Sequence, residues 1–146
     1  MICMKCRSPH SEVVNTRSTR GGSQIWRRRR CADCGKVITT YERQDLSFIQ
    51  VVSSSKTSPY RRSVLFISIL RVLDAEHLTD IDVDNLVDTI EQKIIIRGQD
   101  EIEADLIRRL CLETLKSIDM NAFMRYMALH MNFRNKSDLK AEIKKY

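Results

Sequence analysis

Four of the five cysteines stand in two Cys-x-x-Cys pairs, Cys3 with Cys6 and Cys31 with Cys34, separated by 24 residues. A two-residue spacer lets both sulfurs of a pair turn onto one ion, and two such pairs complete a tetrahedral S4 site that zinc fills well. The other occupants of such a set are a thioredoxin-like redox pair, which needs a βαβ pattern that this stretch lacks, and an iron–sulfur centre. Structural zinc, one ion per chain, is the reading adopted. A fully ligated ion leaves no open position for catalysis. Gly35 after the second pair suits the tight backbone turn expected there, whereas the first pair has Arg7 in the same place.

The residues between the pairs read as strands. Glu12 to Arg17 is β-rich, Arg20 to Ser23 is a turn, Gln24 to Arg30 is a returning strand, and Lys36 to Tyr41 is a third. A three-stranded ribbon of this size cannot hold itself together by burial, so the metal is expected to supply most of its folding energy.

Charge is concentrated in this segment. The chain carries a formal +6, and all of that excess lies in residues 1–45, which have ten Lys/Arg against four Asp/Glu; residues 46–146 have fifteen of each. Four thiolates and one zinc add about −2 and leave the segment near +4. Arg27, Arg28, Arg29 and Arg30 are consecutive, and alternation puts Arg27 and Arg29 on one face of the strand and Arg28 and Arg30 on the other. Neither face can then be a dry core. With Arg17 and Arg20 across the hairpin, these charges repel one another with no local carboxylate expected to offset them. Such a cluster fits a polyanion, and a β-ribbon can lie in the major groove of double-stranded DNA with arginines on guanine edges and phosphates. The alternatives are a solvated face, a face for an acidic protein, or RNA, with Trp26 stacking on an unpaired base or else covering the ribbon's small core.

From Asp45 onward the pattern changes. Leu46 to Val52 reads as a strand and Ser53 to Pro59 as a polar loop. Four helices follow at 61–74, 82–97, 104–118 and from Asp119, with Val64, Ile67, Leu70 and Leu73 at helical spacing in the first and Ile107, Leu110, Cys111 and Leu115 inward in the third. Ser137 is expected to cap a short last helix. Cys111, His130 and the methionines at 124, 127 and 131 read as packing residues. The domains expected are residues 1–45, residues 46–138 and a tail helix over 139–146. No phosphate loop, nucleophile set or carboxylate pair appears, so the chain is expected not to be an enzyme. No apolar run approaches a membrane span and the first ten residues lack a secretory pattern, which predicts a cytoplasmic protein.

The order Cys-x-x-Cys, Asn15-Thr-Arg17, Gly22-Ser23, Ile25-x-Arg27-Arg28-Arg29, Cys31-x-x-Cys-Gly35 and Thr39-Thr-Tyr-Glu-Arg43 resembles the NrdR family, bacterial repressors of ribonucleotide reductase genes. The spacing of Leu115, Asp119, Ala122, Phe123, Arg125, Tyr126 and Phe133 resembles the end of that family's ATP cone. The resemblance implies an α+β protein: a zinc ribbon that binds operator DNA, joined to a small, mostly helical cone that binds ATP and dATP and sets the state of a homo-oligomer. One stretch departs from the family. Its cone usually opens Val-x-Lys-x-Asp/Asn-Gly, with a further Lys early in the first helix; here Val51-Val-Ser-Ser-Ser-Lys56 lacks Asp-Gly and Val64 stands near the helix position. Lys56, Arg61 and Arg62 are the groups expected to take over the triphosphate, the alternatives being solvated loop charges and a cone that has lost its sensor.

Overall fold

A computed structural model describes residues 1–74, 82–131, 133 and 135–145. The chain divides into two compact units, Met1–Asp45 and Leu46–Tyr146.

The first unit is an antiparallel sheet in the order β1-β2-β3, with β1 at Ser11–Thr19, β2 at Gln24–Cys31 and β3 at Val37–Arg43. A short 3-10 turn at Arg20–Gly22 joins the first two strands, with Arg20, Gly21 and Gly22 all at positive φ. Two glycines in three residues make that reversal inexpensive. Across β1 and β2 the register places Arg17 opposite Trp26 and Thr16 opposite Arg27, and a bulge between Val13 and Asn15 brings Asn15 opposite Arg28. Among the described residues of this unit only Cys3, Cys31 and Gln24 are buried. The ribbon therefore lacks an apolar core, the condition under which a metal is expected to supply most of the folding energy.

The second unit packs helices on a small sheet of order β5-β4-β6. β4 (Gln50–Val52) runs antiparallel to β5 (Thr57–Pro59) and parallel to β6 (Glu101–Glu103). The expected strand over 46–52 is thus only its last three residues; Leu46 and Ile49 are buried ahead of it. Three of the seven residues of the expected polar loop, Thr57–Pro59, are β5, and β6 carried no sequence signal. Strands of three residues form here because a neighbouring strand satisfies their backbone groups, a tertiary cause that local composition does not show.

The helices are α1 (Arg62–Leu70), α2 (Val83–Ile95), α3 (Ala104–Lys116), α4 (Met120–His130) and α5 (Lys136–Ile143). Asp82 and Asp119 cap α2 and α4 through their carboxylates, and Gly98 follows α2 at φ 60°. α1 stops at Leu70, short of the expected 74. Six of the nine residues of α1 are apolar, so spacing alone does not choose its buried side: Leu65 and Ile69 face the core, while Val64, Ile67 and Leu70 are exposed. α5 begins ahead of the expected 139 because Asn135, not Ser137, caps it, accepting from the Asp138 N–H at 2.9 Å. Met127 is fully buried and Met131 packs against the core, but Met124 is exposed, which corrects its reading as a packing residue. Arg125 of α4 ties down the segment that follows α1, donating to the Val72 carbonyl at 3.2 Å and pairing with Asp74.

Candidate functional site

The two cysteine pairs form matching turns. The Cys3 N–H donates to the Ser8 carbonyl and the Arg7 N–H to the Cys3 carbonyl, each at 2.8 Å; in the second pair the Cys31 N–H reaches the Lys36 carbonyl at 2.9 Å and the Gly35 N–H the Cys31 carbonyl at 3.0 Å. Arg7 and Gly35 both lie at positive φ, 61° and 70°. Arg7 therefore accepts the conformation that glycine takes freely in its counterpart.

These turns bring all four Sγ atoms within 4.8 Å of one another. Cys3 and Cys34 are 3.6 Å apart and Cys6 and Cys31 3.5 Å. Four sulfurs about 2.3 Å from a central zinc stand about 3.8 Å apart in a regular tetrahedron, so the donor set fits that ion in number, chemistry and spacing. Electrostatics point the same way. Backbone N–H groups of Cys6 and Lys5 pull the Cys3 thiol down to about 6. The Ser8 N–H pulls on Cys6 likewise, but Cys34, burial, Cys31 and Cys3 outweigh it and the thiol is pushed up to about 12. Four thiolates this close need a divalent cation among them.

The arginine ladder divides as alternation requires. Arg27 and Arg29 lie on the face that carries Glu42, at 3.1 and 3.5 Å from its carboxylate oxygens, and Arg29 Nε also donates to Thr40 at 3.3 Å. Their side chains are only 31% and 21% exposed. A local carboxylate thus offsets half of the ladder, contrary to the expectation that none would. Glu42 follows Arg29 and Arg27 by 13 and 15 positions and meets them only through the pairing of β3 with β2, which local sequence does not show. Arg28 and Arg30 project from the opposite face, exposed and without an ion pair among the described residues. Arg17 shares their face and lies over the Trp26 ring, 5.6 Å from its centroid. Tyr41, opposite Trp26 in β3, and Arg43, opposite Gln24, complete that side. Arg20 sits apart from both faces, in the hairpin turn.

In the second unit, a cleft of about 430 Å³ opens between β5, the start of α1, and helices α3 and α4. Lys56, Ser58 and Arg61 line one part of it; Ile107, Tyr126 and His130 line another. Arg61 is the residue before α1, whose first turn has neither a side-chain cap nor an acidic residue, a setting that favours anions. His130 stacks on Tyr126 at 4.3 Å, and its buried Nε2 lacks a hydrogen-bond partner among the described residues. Burial, then the charges of Arg108 and Arg71, hold that imidazole below its usual range, so it is neutral near pH 7. An orphaned nitrogen in a cleft is a three-dimensional property, and in sequence His130 reads as one more packing residue.

Arg62 does not line this cleft. Its guanidinium holds Asp84 and Asp88 at 2.7 Å each and pairs with Glu91, which also accepts from the Tyr60 hydroxyl at 2.9 Å. The structure brings Lys56 and Arg61 together at the cleft and places Arg62 in a carboxylate cluster that anchors α1 on α2.

A four-thiolate ribbon followed by a helical unit with a cationic cleft defines a two-module architecture, and comparison with known proteins names both modules. Residues 1–42 match the family described as "Transcriptional repressor NrdR-like, N-terminal domain", and residues 51–136 match the ATP cone domain. The chain is 34% identical over 145 residues to a transcriptional repressor NrdR of Streptococcus suis, covering 99% of this chain and 89% of the relative. It is 33% identical to its namesake in Paracidovorax citrulli (97% and 95% covered) and 32% identical to that of Alkaliphilus oremlandii (99% and 95%). The chain belongs to the NrdR family of transcriptional repressors, a family of regulators and not of enzymes. No helix among the described residues is long and apolar enough to cross a membrane.

Proposed function

We propose that this protein is a cytoplasmic bacterial repressor of ribonucleotide reductase genes that grips operator DNA with its zinc ribbon and is regulated by ATP or dATP in its cone. The observation that carries the DNA half is the face formed by Arg17, Arg28 and Arg30, charged, exposed and on a ribbon held by metal. Arg28 and Arg30 stand about 6.8 Å apart along the strand, which matches about two base-pair rises of 3.4 Å each. Arg28, in the middle, reaches base edges; Arg17 and Arg30 hold phosphates to either side. Arg27 and Arg29, paired with Glu42, keep the opposite face from repelling itself and contribute less to contact, as does Arg20 in the turn. Trp26 is covered by Arg17, which disfavours its use as a platform for unpaired RNA bases. Zinc-loaded protein is expected to retard duplex DNA in a gel and to lose that ability on chelation. Equal retention of unrelated RNAs, without preference for any duplex, would favour an RNA-binding protein.

For the cone, Lys56, Arg61 and the uncapped start of α1 supply a phosphate site, and the neutral His130 with Tyr126 supplies a flatter, less polar end for a base. Arg62 acts by holding α1 in place. Val64 lines the cleft, and Ile67 and Leu70 are exposed on the same helix, so occupancy is coupled to an apolar surface suited to a second copy of the chain. Calorimetry with ATP and dATP is expected to show saturable heat, and light scattering a change in mass. Absence of both would mean a cone that keeps its fold without its sensor.

A further inference from the structure

Asn15 is an exposed amide side chain that stands opposite an exposed arginine, whereas Gln24, the amide opposite Arg43, is buried. In β1 Asn15 pairs in register with Arg28 of β2, with Thr39 of β3 completing the row. Directly opposite residues of an antiparallel sheet share a face, with Cβ atoms about 5 Å apart. The cation–π contact between Arg17 and Trp26, one row along, confirms which residues share this face. Asn15 is exposed, as is Arg28, and neither side chain has a hydrogen bond or ion pair among the described residues. The register shift between Val13 and Asn15 falls next to this side chain, on the edge strand of the sheet. Bulges at sheet edges commonly re-aim a side chain. An asparagine amide, with a donor and an acceptor side by side, matches the N6 and N7 edge of adenine in the major groove, as an arginine fork matches the O6 and N7 edge of guanine.

We propose that Asn15 reads an adenine in the operator, beside the guanine read by Arg28. This rests on the reading of the Arg17–Arg28–Arg30 face as the DNA-binding face. Cross-strand spacing of about 4.8 Å lies between one and two base-pair rises of about 3.4 Å, so the two contacts fall on adjacent or next-adjacent base pairs, and the sites selected contain an adenine and a guanine at that offset. A phosphate contact by Asn15 would help every sequence alike; a base contact helps one.

The test is selection of duplexes from a random pool by the zinc-loaded full chain, followed by affinity measurements on the selected site for the parent and for Asn15→Ala. The variant removes an exposed side chain and leaves the zinc site intact, which zinc content and Trp26 fluorescence verify. The parent is expected to prefer adenine at one position by about 10-fold or more, with 7-deazaadenine there reproducing the loss. Asn15→Ala should level that preference and leave the guanine preference standing. If Asn15→Ala keeps the adenine preference, or weakens all duplexes equally, the assignment is overturned while DNA binding stands. If the parent selects no duplex, the DNA-face reading fails and this inference with it.

Discussion

Cys31→Ser is expected to unfold the ribbon while leaving the helical unit folded. Structural zinc contributes on the order of 10 kcal/mol to modules of this kind, and the ribbon buries little besides Cys3, Cys31 and Gln24 to offset its loss. The chain separates the two responses optically. Its single tryptophan, Trp26, is in the ribbon, and every α-helix is in the second unit. The variant should therefore show red-shifted Trp26 emission and no bound zinc, with helical circular dichroism largely retained. Strong chelation of the parent should do the same. Unchanged Trp26 emission after the metal has been removed would show that the ribbon holds itself together by other means.

Arg62→Met should destabilise the second unit by on the order of 3 kcal/mol, because it strands carboxylates that the arginine now compensates. Asp88 and Glu91 are buried, Asp84 is not, and all three converge on the same guanidinium. Burial, opposed by Arg62 and by the Tyr60 hydroxyl, already holds the Glu91 carboxyl above its ordinary range. A carboxyl raised in the folded state contributes stability below its unfolded value of about 4.3 and loses it as pH rises through the folded value. Removing Arg62 raises Glu91 further, so the variant's deficit should be greater at pH 7 than near pH 4.5. Adding Glu91→Gln should recover part of it at pH 7. Denaturant unfolding of the three proteins at both pH values checks this, and a deficit that is equal at both pH values and not rescued would remove the electrostatic explanation.

Where the sequence was legible, a local chemical demand set the pattern. The spacing of Cys3, Cys6, Cys31 and Cys34 announced a four-sulfur site because only ligand geometry requires it. Alternation predicted the split of Arg27 and Arg29 from Arg28 and Arg30, since strand side chains have a period of two whatever surrounds them. Asp82, Asp119 and Gly98 marked helix ends through capping and left-handed backbone preferences that act within a few residues.

Long-range pairing decided the features that escaped it. Three-residue strands at Thr57–Pro59 and Glu101–Glu103 exist because β4 lies between them. Glu42 meets Arg27 and Arg29 only once β3 has docked on β2. α1 is apolar on most sides, so the packing of Leu65 and Ile69, and the exposure of Val64 and Ile67, are settled by what the rest of the unit presents. Lys56 and Arg61 share a cleft, yet Arg62, their neighbour in sequence, turns to the acidic side of α2. Arg61 is extended and precedes the helix that Arg62 begins, and that single step separates a cleft-lining cation from one that holds α1 on α2.

If one face of the zinc-held ribbon grips duplex DNA as proposed, the arginines of that face carry its phosphate contacts. The salt dependence of affinity for a selected duplex, measured for the parent and for Arg30→Ala, Arg17→Ala, Arg27→Ala and Arg29→Ala, tests it most directly. Each lost phosphate contact should make the slope of log affinity against log salt shallower by about 0.9. That change is expected for Arg30→Ala and Arg17→Ala, with slopes close to the parent's for Arg27→Ala and Arg29→Ala. Identical slopes for all five proteins, or duplex binding that persists undiminished after zinc removal, would contradict it.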